Sequence, residues 1–230
     1  MRSLLSAAKR VLPADLIFLP IIRGPLRGGV FYACPRVSMR KVLGLYEAEL
    51  NPWLAQALNR ADLVVDVGAN DGYFTFGCAS AMRQQGRPVK ILAFEPIAAH
   101  VQQLRRAQSH GNYTEDEIAI VSKRVGRVDD YDHVTLDAFS ELRAASKAPL
   151  LKIDVEGAEL DVLEGAFTWL SPDTLLVIEV HKLEYLDEIA QRFAPLVGAL
   201  DRIDQQPLPV LGREMRDAAN WWLVSRLSGR

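Results

Sequence analysis

Acidic residues end four apolar runs of this sequence, and together they could bind a ligand or assist a reaction. The four acids are Asp66, Glu95, Asp154 and Glu179. Each run predicts a strand buried on both faces, and the carboxyl ends of parallel strands share one edge of a sheet. Taken singly, each acid is better explained as a solvated strand end. Four on one edge indicate a site for a ligand with cationic groups or several hydrogen-bond donors, because an unpartnered buried carboxylate is costly.

The first of these runs continues into a turn that contains glycine, DVGANDG, at residues 66–72. Gly68 permits a sharp turn and leaves room for a ligand, and a helix beginning after Gly72 would direct backbone N–H groups to the same space. The turn lacks the G-x-G-x-x-G pattern of dinucleotide sites and the G-K-[S/T] of phosphate-binding loops. Asp66 instead suits the amino group, sulfonium and ribose hydroxyls of S-adenosylmethionine. The alternative is that Asp66 only caps the following helix.

The segment KIDVEGAE places four charged residues close together, namely Lys152, Asp154, Glu156 and Glu159. If the strand continues, the first three share one face. Glu159 falls in the first turn of the next helix, where the helix dipole favours an acid, so we expect a capping role for it. The residues on the strand face are the candidates for a functional role.

His181 follows Glu179 by two positions and shares its predicted strand face. A histidine beside carboxylates at a sheet edge can serve as a general base, although a structural role is equally open. Asp154, Glu156 and His181 are therefore the candidate catalytic residues.

The composition is that of one large globular unit with a substantial core, at 230 residues and a formal net charge of −2. The chain has no basic excess that would favour a nucleic-acid partner. Two cysteines fit neither a metal site nor a disulfide framework and are expected in a reducing cytoplasm. An apolar stretch at residues 11–22 is interrupted by Pro13, Asp15 and Pro20, so we predict no membrane span and at most weak contact with a membrane surface.

The elements that must position these residues alternate between strand and helix, which predicts an α/β sheet with right-handed crossovers. We predict an N-terminal extension of helices and a strand over residues 1–60, packed on a domain formed by residues 61–230. Residues 1–22 are expected to be helical, residues 122–133 to form a loop, and WWLVSRL to supply a final strand.

With these pieces in order, the chain resembles the FkbM family of S-adenosylmethionine-dependent methyltransferases. The matching segments are GLYEAEL, VVDVGANDGYF, ILAFEP, VTLDAF, LLKIDVEGAELDVLEGA and LVIEVHK, which lie between residues 44 and 182. The resemblance implies a Rossmann-like class I methyltransferase fold, a mostly parallel seven-stranded sheet with helices on both faces and an antiparallel last strand. It also implies methyl transfer to a hydroxyl oxygen of a small molecule, sugar or glycan. An alcohol attacks a sulfonium methyl only as its proton begins to leave, so we predict His181 as the base, with Glu156 orienting it or holding the hydroxyls of the acceptor. This direct transfer needs no metal.

The resemblance also implies roles for individual residues. Asp66, Gly68 and Asn70 would form the cofactor turn, Glu95 would hold the ribose, and Asp154 would border the methionine part. Ala119 is the candidate for contact with the adenine.

Other functions on a similar sheet stay open. They are a nicotinamide-dependent oxidoreductase, a metal-dependent phosphatase, a non-catalytic cofactor-binding module and an RNA methyltransferase, the last disfavoured by the lack of a basic excess. The missing middle glycine argues against the oxidoreductase, and the absence of a D-x-D pair on the first strand argues against the phosphatase. The acceptor and the oligomeric state are not determined by the sequence.

Overall fold

The structure is a computed structural model that describes residues 12–205 and 221–227. Its strands are β1 (Ile17–Pro20), β2 (Val30–Ala33), β3 (Leu63–Val67), β4 (Ile91–Phe94), β5 (Ile118–Val121), β6 (Arg124–Val125), β7 (His133–Val134), β8 (Pro149–Ile153), β9 (Leu175–Val180), β10 (Leu200–Asp204) and β11 (Trp221–Ser225). Its helices are α1 (Pro35–Val42), α2 (Asn51–Arg60), α3 (Tyr73–Gln84), α4 (Ala98–His110), α5 (Ser140–Ala144), α6 (Glu159–Glu164) and α7 (Leu183–Val197). Among these helices none has the length and apolar character needed to cross a membrane.

The main sheet has seven strands in the order β10-β11-β9-β8-β3-β4-β5. Five neighbouring strands, β9, β8, β3, β4 and β5, are parallel to one another. β11 runs antiparallel to both of its neighbours, β10 and β9. This confirms the predicted sheet and its antiparallel last strand. β3 is the central one of the five parallel strands, so its carboxyl end and the glycine turn that follows it lie at the middle of their shared edge.

Apolar side chains cover both faces of the sheet, as expected when every residue of β3 is buried. Strand alternation directs Leu63, Val65 and Val67 into one core, which also contains residues of α6 and α7. Val64 points to the opposite core, which contains residues of α2, α3 and α4 together with β1 and β2. The prediction of helices on both faces is confirmed.

Residues 17–60 pack on the second of these faces. β1 and β2 form a separate antiparallel pair, so the prediction that residues 1–22 are helical is wrong for residues 17–20; residues 1–11 lie outside the described residues. Proline spacing suggested a helix boundary at Pro20, but Pro20 ends a strand that pairs with Val30–Ala33. The division of the chain at residue 60 stays a prediction.

Residues 122–133 were expected to form a loop, and they are largely irregular. Within this stretch, β6 and β7 form a two-residue parallel pair in which Arg124 lies opposite His133. The pair holds the loop beside the carboxyl ends of β4 and β5.

Candidate active site

The glycine turn joins the ends of β3 and β8. Gly68 has a φ of +87°, and a Cβ added there would lie 2.0 Å from the backbone oxygen of Asp154. Only glycine permits this approach without displacing the backbone. The N–H groups of Gly68 and Ala69 both donate to the carbonyl oxygen of Phe94, at 3.0 and 2.9 Å, which ties the turn to the end of β4. Three strand ends are therefore fixed around one small space.

Asp66 lies beneath this turn, one position inside β3, and is fully buried. Its Oδ2 accepts a hydrogen bond from Thr75 Oγ1 at 2.6 Å, and its Oδ1 lies 3.3 Å from Lys152 Nζ. The cleft described below is not lined by Asp66. Both carboxylate oxygens thus have protein partners, and Asp66 fixes α3 and Lys152 relative to the turn.

Lys152 links the buried acid to the sheet edge, because its Nζ also lies 3.2 Å from Asp154 Oδ2. Burial alone would lower the pKa of this ammonium, but the charges of Asp154 and Asp66 outweigh burial, so its pKa is raised. Lys152 is therefore charged at neutral pH. The negative charge at the first position of the turn is neutralised within the protein.

Glu95 holds the turn from the side of β4. Its Oε2 accepts from the backbone N–H of Asn70 at 2.8 Å, and its Oε1 accepts from that of Ile97 at 2.9 Å. Asn70 adopts a left-handed conformation with a φ of +49°, which directs its N–H to this carboxylate. Ala119 pairs with Leu92 in the sheet and is not a residue of the cleft lining.

A cleft of about 400 Å³ opens between these strand ends and the segment that carries β6 and β7. Of the residues predicted for the site, it is lined by Gly68, Glu95, Asp154 and Glu156. The structure therefore brings together the predicted turn, one predicted ribose ligand and two predicted catalytic acids. Asp66, Asn70, Ala119 and His181 are not part of this lining.

His181 lies just past β9 and contacts Glu159, not Glu156. Its Nδ1 is 2.6 Å from Glu159 Oε1, and its backbone N–H donates to the same oxygen at 3.1 Å. Its Nε2 lies 3.9 Å from Asp154 Oδ1. Glu159 is fully buried, and its Oε1 also accepts from the backbone N–H of Gly157 at 3.4 Å. The pair fixes the ring with Nε2 directed at the sheet edge.

The surroundings of His181 favour its charged form. Burial lowers the pKa of His181, but the hydrogen bond to Glu159 and the negative charges of Glu179 and Asp154 act in the opposite direction and prevail, so the pKa is raised above its ordinary value. A histidine held by a carboxylate in this way is the arrangement that general bases use. His181 therefore becomes neutral, and able to accept a proton, only at a higher pH than a free histidine does.

Asp154, Glu179 and His181 form a cluster in which the possible ligand atoms lie within 4.8 Å of one another. A cation could bind at this spacing, and the ammonium of Lys152 already lies beside Asp154. Gln205 Nε2 donates to Glu179 Oε1 at 2.7 Å. The cluster is thus a hydrogen-bonded acidic wall beside the cleft.

Reasoning from the sequence missed two charged residues, Lys41 at the end of α1 and Glu47 between α1 and α2. Glu47 faces Glu179 and Asp154, and burial together with these charges raises its pKa to about 8. Lys41 Nζ lies 2.6 Å from Asp71 Oδ2, so the second acid of the turn is paired within the protein. In the sequence, Glu47 lies in the segment GLYEAEL, which matched the family but was given no role.

The fold and the site together define a class: a Rossmann-like methyltransferase fold with its cleft at the carboxyl edge of the sheet. Residues 108–206 match the family model of the methyltransferase FkbM domain. The matched segment contains Asp154, Glu159, Glu179 and His181, whereas the glycine turn and Glu47 precede it.

Solved structures show the same fold. The crystal structure of methyltransferase FkbM from Methylobacillus flagellatus KT aligns with a TM-score of 0.55 at 18% identity, over 80% of this chain and 54% of that chain. This chain thus spans about half the length of that protein. The family match and this structure confirm the predicted resemblance to the FkbM family.

Weaker likenesses include an rRNA methylase from Streptococcus thermophilus, with a TM-score of 0.48 and 14% identity over 78% of this chain and 97% of that chain. M. jannaschii TYW2, in complex with AdoMet, has a TM-score of 0.48 and 13% identity over 86% of this chain and 80% of that chain. These two likenesses are too weak to indicate an acceptor. No curated protein matches the chain.

Proposed function

We propose that the chain is an S-adenosylmethionine-dependent methyltransferase that methylates a hydroxyl oxygen of a small molecule, sugar or glycan. The observation that carries this proposal is the pair of Glu159 and His181, which directs Nε2 to the edge of a methyltransferase sheet, 3.9 Å from Asp154. Such a base is needed for an alcohol acceptor, since its oxygen must lose a proton as it attacks the methyl group.

The cofactor is proposed to lie in the cleft, with its ribose hydroxyls at Glu95 and its methionine part towards Asp154. Gly68 and Asn70 shape the turn beneath it, and Ala119 is assigned to the adenine side. Asp66 takes part indirectly, because it holds Thr75 and Lys152 under the turn. This orientation places the sulfonium near the acidic wall, where the acceptor would approach.

An uncharged or cationic acceptor suits this wall better than RNA does. The carboxylates of Asp154 and Glu179 would repel a phosphate backbone, and the chain as a whole has a net charge of −2. Glu156 lines the cleft and is assigned to the hydroxyls of the acceptor. The cysteines Cys34 and Cys78 are both free, which agrees with the proposed cytoplasmic location.

Calorimetry with S-adenosylmethionine, S-adenosylhomocysteine and NAD tests the cofactor. We expect binding of the first two, and a Glu95→Gln variant that binds them more weakly by about 1.5–3 kcal/mol, because it loses a charge-assisted hydrogen bond. Glu141→Gln, on the distant α5, serves as the control. Binding of NAD without either sulfur ligand would end the methyltransferase proposal.

The base is tested in His181→Ala, using an acceptor found by screening hydroxyl-bearing sugars and small molecules. Turnover should fall by roughly 10²–10⁴, while affinity for S-adenosylmethionine stays close to that of the wild type. His110→Ala is the matched control, because His110 stacks on Phe18 away from the cleft. Normal turnover in His181→Ala would show that another group, such as Asp154 or Glu156, removes the proton.

A further inference from the structure

The first described strand leaves apolar side chains in contact with solvent. Of the four residues of β1, Leu19 alone is buried, whereas Ile17 and Phe18 are 38% and 39% exposed. Leu16 before the strand and Ile22 after it are 40% and 47% exposed. Single exposed apolar residues are ordinary, but a group of large ones close together indicates a surface that binds a partner or a membrane. This group belongs to the apolar stretch for which the sequence predicts at most weak contact with a membrane surface.

A shallow hollow of about 410 Å³ lies beside Phe18. Apart from Phe18, its lining consists of four residues of α4 that can donate hydrogen bonds, namely Arg105, Arg106, Ser109 and His110. The ring of Phe18 stacks on that of His110, with centroids 4.0 Å apart, and Arg106 Nη1 donates to the hydroxyl of Tyr32 at 2.8 Å. None of the described residues that line the hollow carries a carboxylate. The hollow therefore suits an anionic group.

The charges of the chain are divided unevenly, and the N-terminal part is strongly basic. Residues 1–46 contain eight lysines and arginines and a single acid, Asp15, whereas residues 47–230 contain 19 basic and 28 acidic residues. The first part has a net charge of +7 and the second −9, which together give the −2 of the whole chain. Three of the basic residues, Arg2, Lys9 and Arg10, lie outside the described residues. An anionic surface would attract the N-terminal part although the chain as a whole is slightly acidic.

The start of α1 adds to the same region. Arg36 Nε donates to the carbonyl oxygen of Leu12 at 2.8 Å, so this end of α1 lies beside the segment that leads into β1. Val37, the next residue, is 77% exposed. Arg23 and Arg27, which follow β1, are exposed as well. Basic and apolar side chains thus occur together on the elements around β1.

This region is remote from the cleft. α4 begins shortly after Glu95, which lines the cleft, and ends at His110, on which Phe18 stacks. A helix of 13 residues places its two ends about 18 Å apart. A surface bound at Phe18 would therefore leave the cleft open.

We propose that the region around β1 docks the protein on an anionic phospholipid bilayer. The apolar side chains of residues 16–22 enter the boundary between headgroups and acyl chains, and Arg105 and Arg106 contact lipid phosphates. Membrane-surface binding combines these two contributions, apolar burial and attraction to anionic lipids. RNA would satisfy the basic residues but offers no apolar medium for Leu16, Ile17 and Ile22. This inference goes beyond the proposed methyl transfer and does not depend on it.

Flotation of the full chain with lipid vesicles tests the proposal. The protein should float with vesicles of phosphatidylcholine mixed with phosphatidylglycerol, much less with phosphatidylcholine alone, and the binding should weaken as salt is added. No flotation with the anionic vesicles would overturn the proposal. It would also be overturned if the protein bound inorganic phosphate or RNA but not these vesicles, since the basic residues would then serve a different ligand.

Two pairs of variants locate the contact. Phe18→Ser should lower the vesicle partition coefficient about fivefold, as expected for a partly exposed apolar side chain that enters the bilayer. Phe167→Ser is its control, because Phe167 is 54% exposed but adjoins the core on the other face of the sheet. Arg105→Gln should also lower partition about fivefold. Arg202→Gln, on β10 at the far end of the sheet from β5, changes the net charge equally and should leave partition unchanged.

The comparison within each pair decides the outcome. Equal partition of Phe18→Ser and Phe167→Ser, or of Arg105→Gln and Arg202→Gln, would show that the region around β1 is not the docking surface. The melting temperature and the affinity for S-adenosylmethionine should match those of the wild type in all four variants, because none of these residues lines the cleft. If Phe18→Ser does not fold, Ile22→Ser replaces it, with the same expected loss of partition.

Discussion

Replacing Lys152 with methionine should destabilise the protein strongly. The ammonium lies 3.3 Å from Asp66 Oδ1 and 3.2 Å from Asp154 Oδ2, and its side chain is 5% exposed. Methionine has a similar volume, so packing is largely kept. Asp66, which has no exposed surface, would retain only the hydroxyl of Thr75 as a side-chain partner. Leaving one member of a buried ion pair alone costs about 3–5 kcal/mol, which for a chain of this size lowers the melting temperature by about 10 °C.

Two comparisons isolate the buried charge as the cause. The double variant Asp66→Asn/Lys152→Met removes both charges and should recover much of the lost stability, because no uncompensated carboxylate stays in the core. Arg127→Met removes a cation that pairs with Asp161 and Glu164 at the surface and should leave the melting temperature almost unchanged.

Urea and thermal unfolding at neutral pH measure these differences. The reasoning would be refuted if Lys152→Met unfolded at the same urea concentration as the wild type. It would also be refuted if the double variant were no more stable than Lys152→Met.

Two further predictions concern the turn and the base. In thermal unfolding, Gly68→Ala should destabilise the protein far more than Gly86→Ala. Both residues have a positive φ, but only the methyl group at position 68 would lie 2.0 Å from a backbone oxygen. Equal decreases in melting temperature would exclude a role for this close approach. In the pH profile of turnover, the acidic limb of the wild type should lie above the usual histidine value of about 6.5, because the raised pKa of His181 keeps the base protonated to higher pH. Glu159→Gln should move that limb to lower pH and reduce the maximal rate, and an unmoved limb would assign it to another group.

The sheet could be predicted from the sequence because its central strands are buried on both faces. Continuous apolar runs of the kind seen in β3 and β9 occur where two helical layers cover a sheet. β1 was missed because it is short and half exposed, and its pairing with β2 depends on the intervening turn. Local residue preferences do not reveal such a pair.

The site was predictable only as far as strand ends could be located. Gly68, Glu95, Asp154 and Glu156 do meet in the cleft. Asp66 lies one position inside β3, where its side chain is buried in the protein instead of facing a ligand. The sequence does not locate the end of a strand to within one residue. Glu159 was not assigned to the site, because its burial depends on contact with His181, a residue that follows the distant strand β9.

The place of β11 bears on how the molecule folds. β11 follows β10 in the sequence but lies between β10 and β9 in the sheet. β10 therefore has no partner in the sheet when it is synthesised, and it can join the sheet only after β11 has been made. The same strand receives a hydrogen bond from Trp53 Nε1, 172 positions away, at the backbone oxygen of Ser225. Contacts over such separations carry a large loop-closure entropy, so we expect this side of the sheet to form late in folding and to leave the edge of β9 open until then.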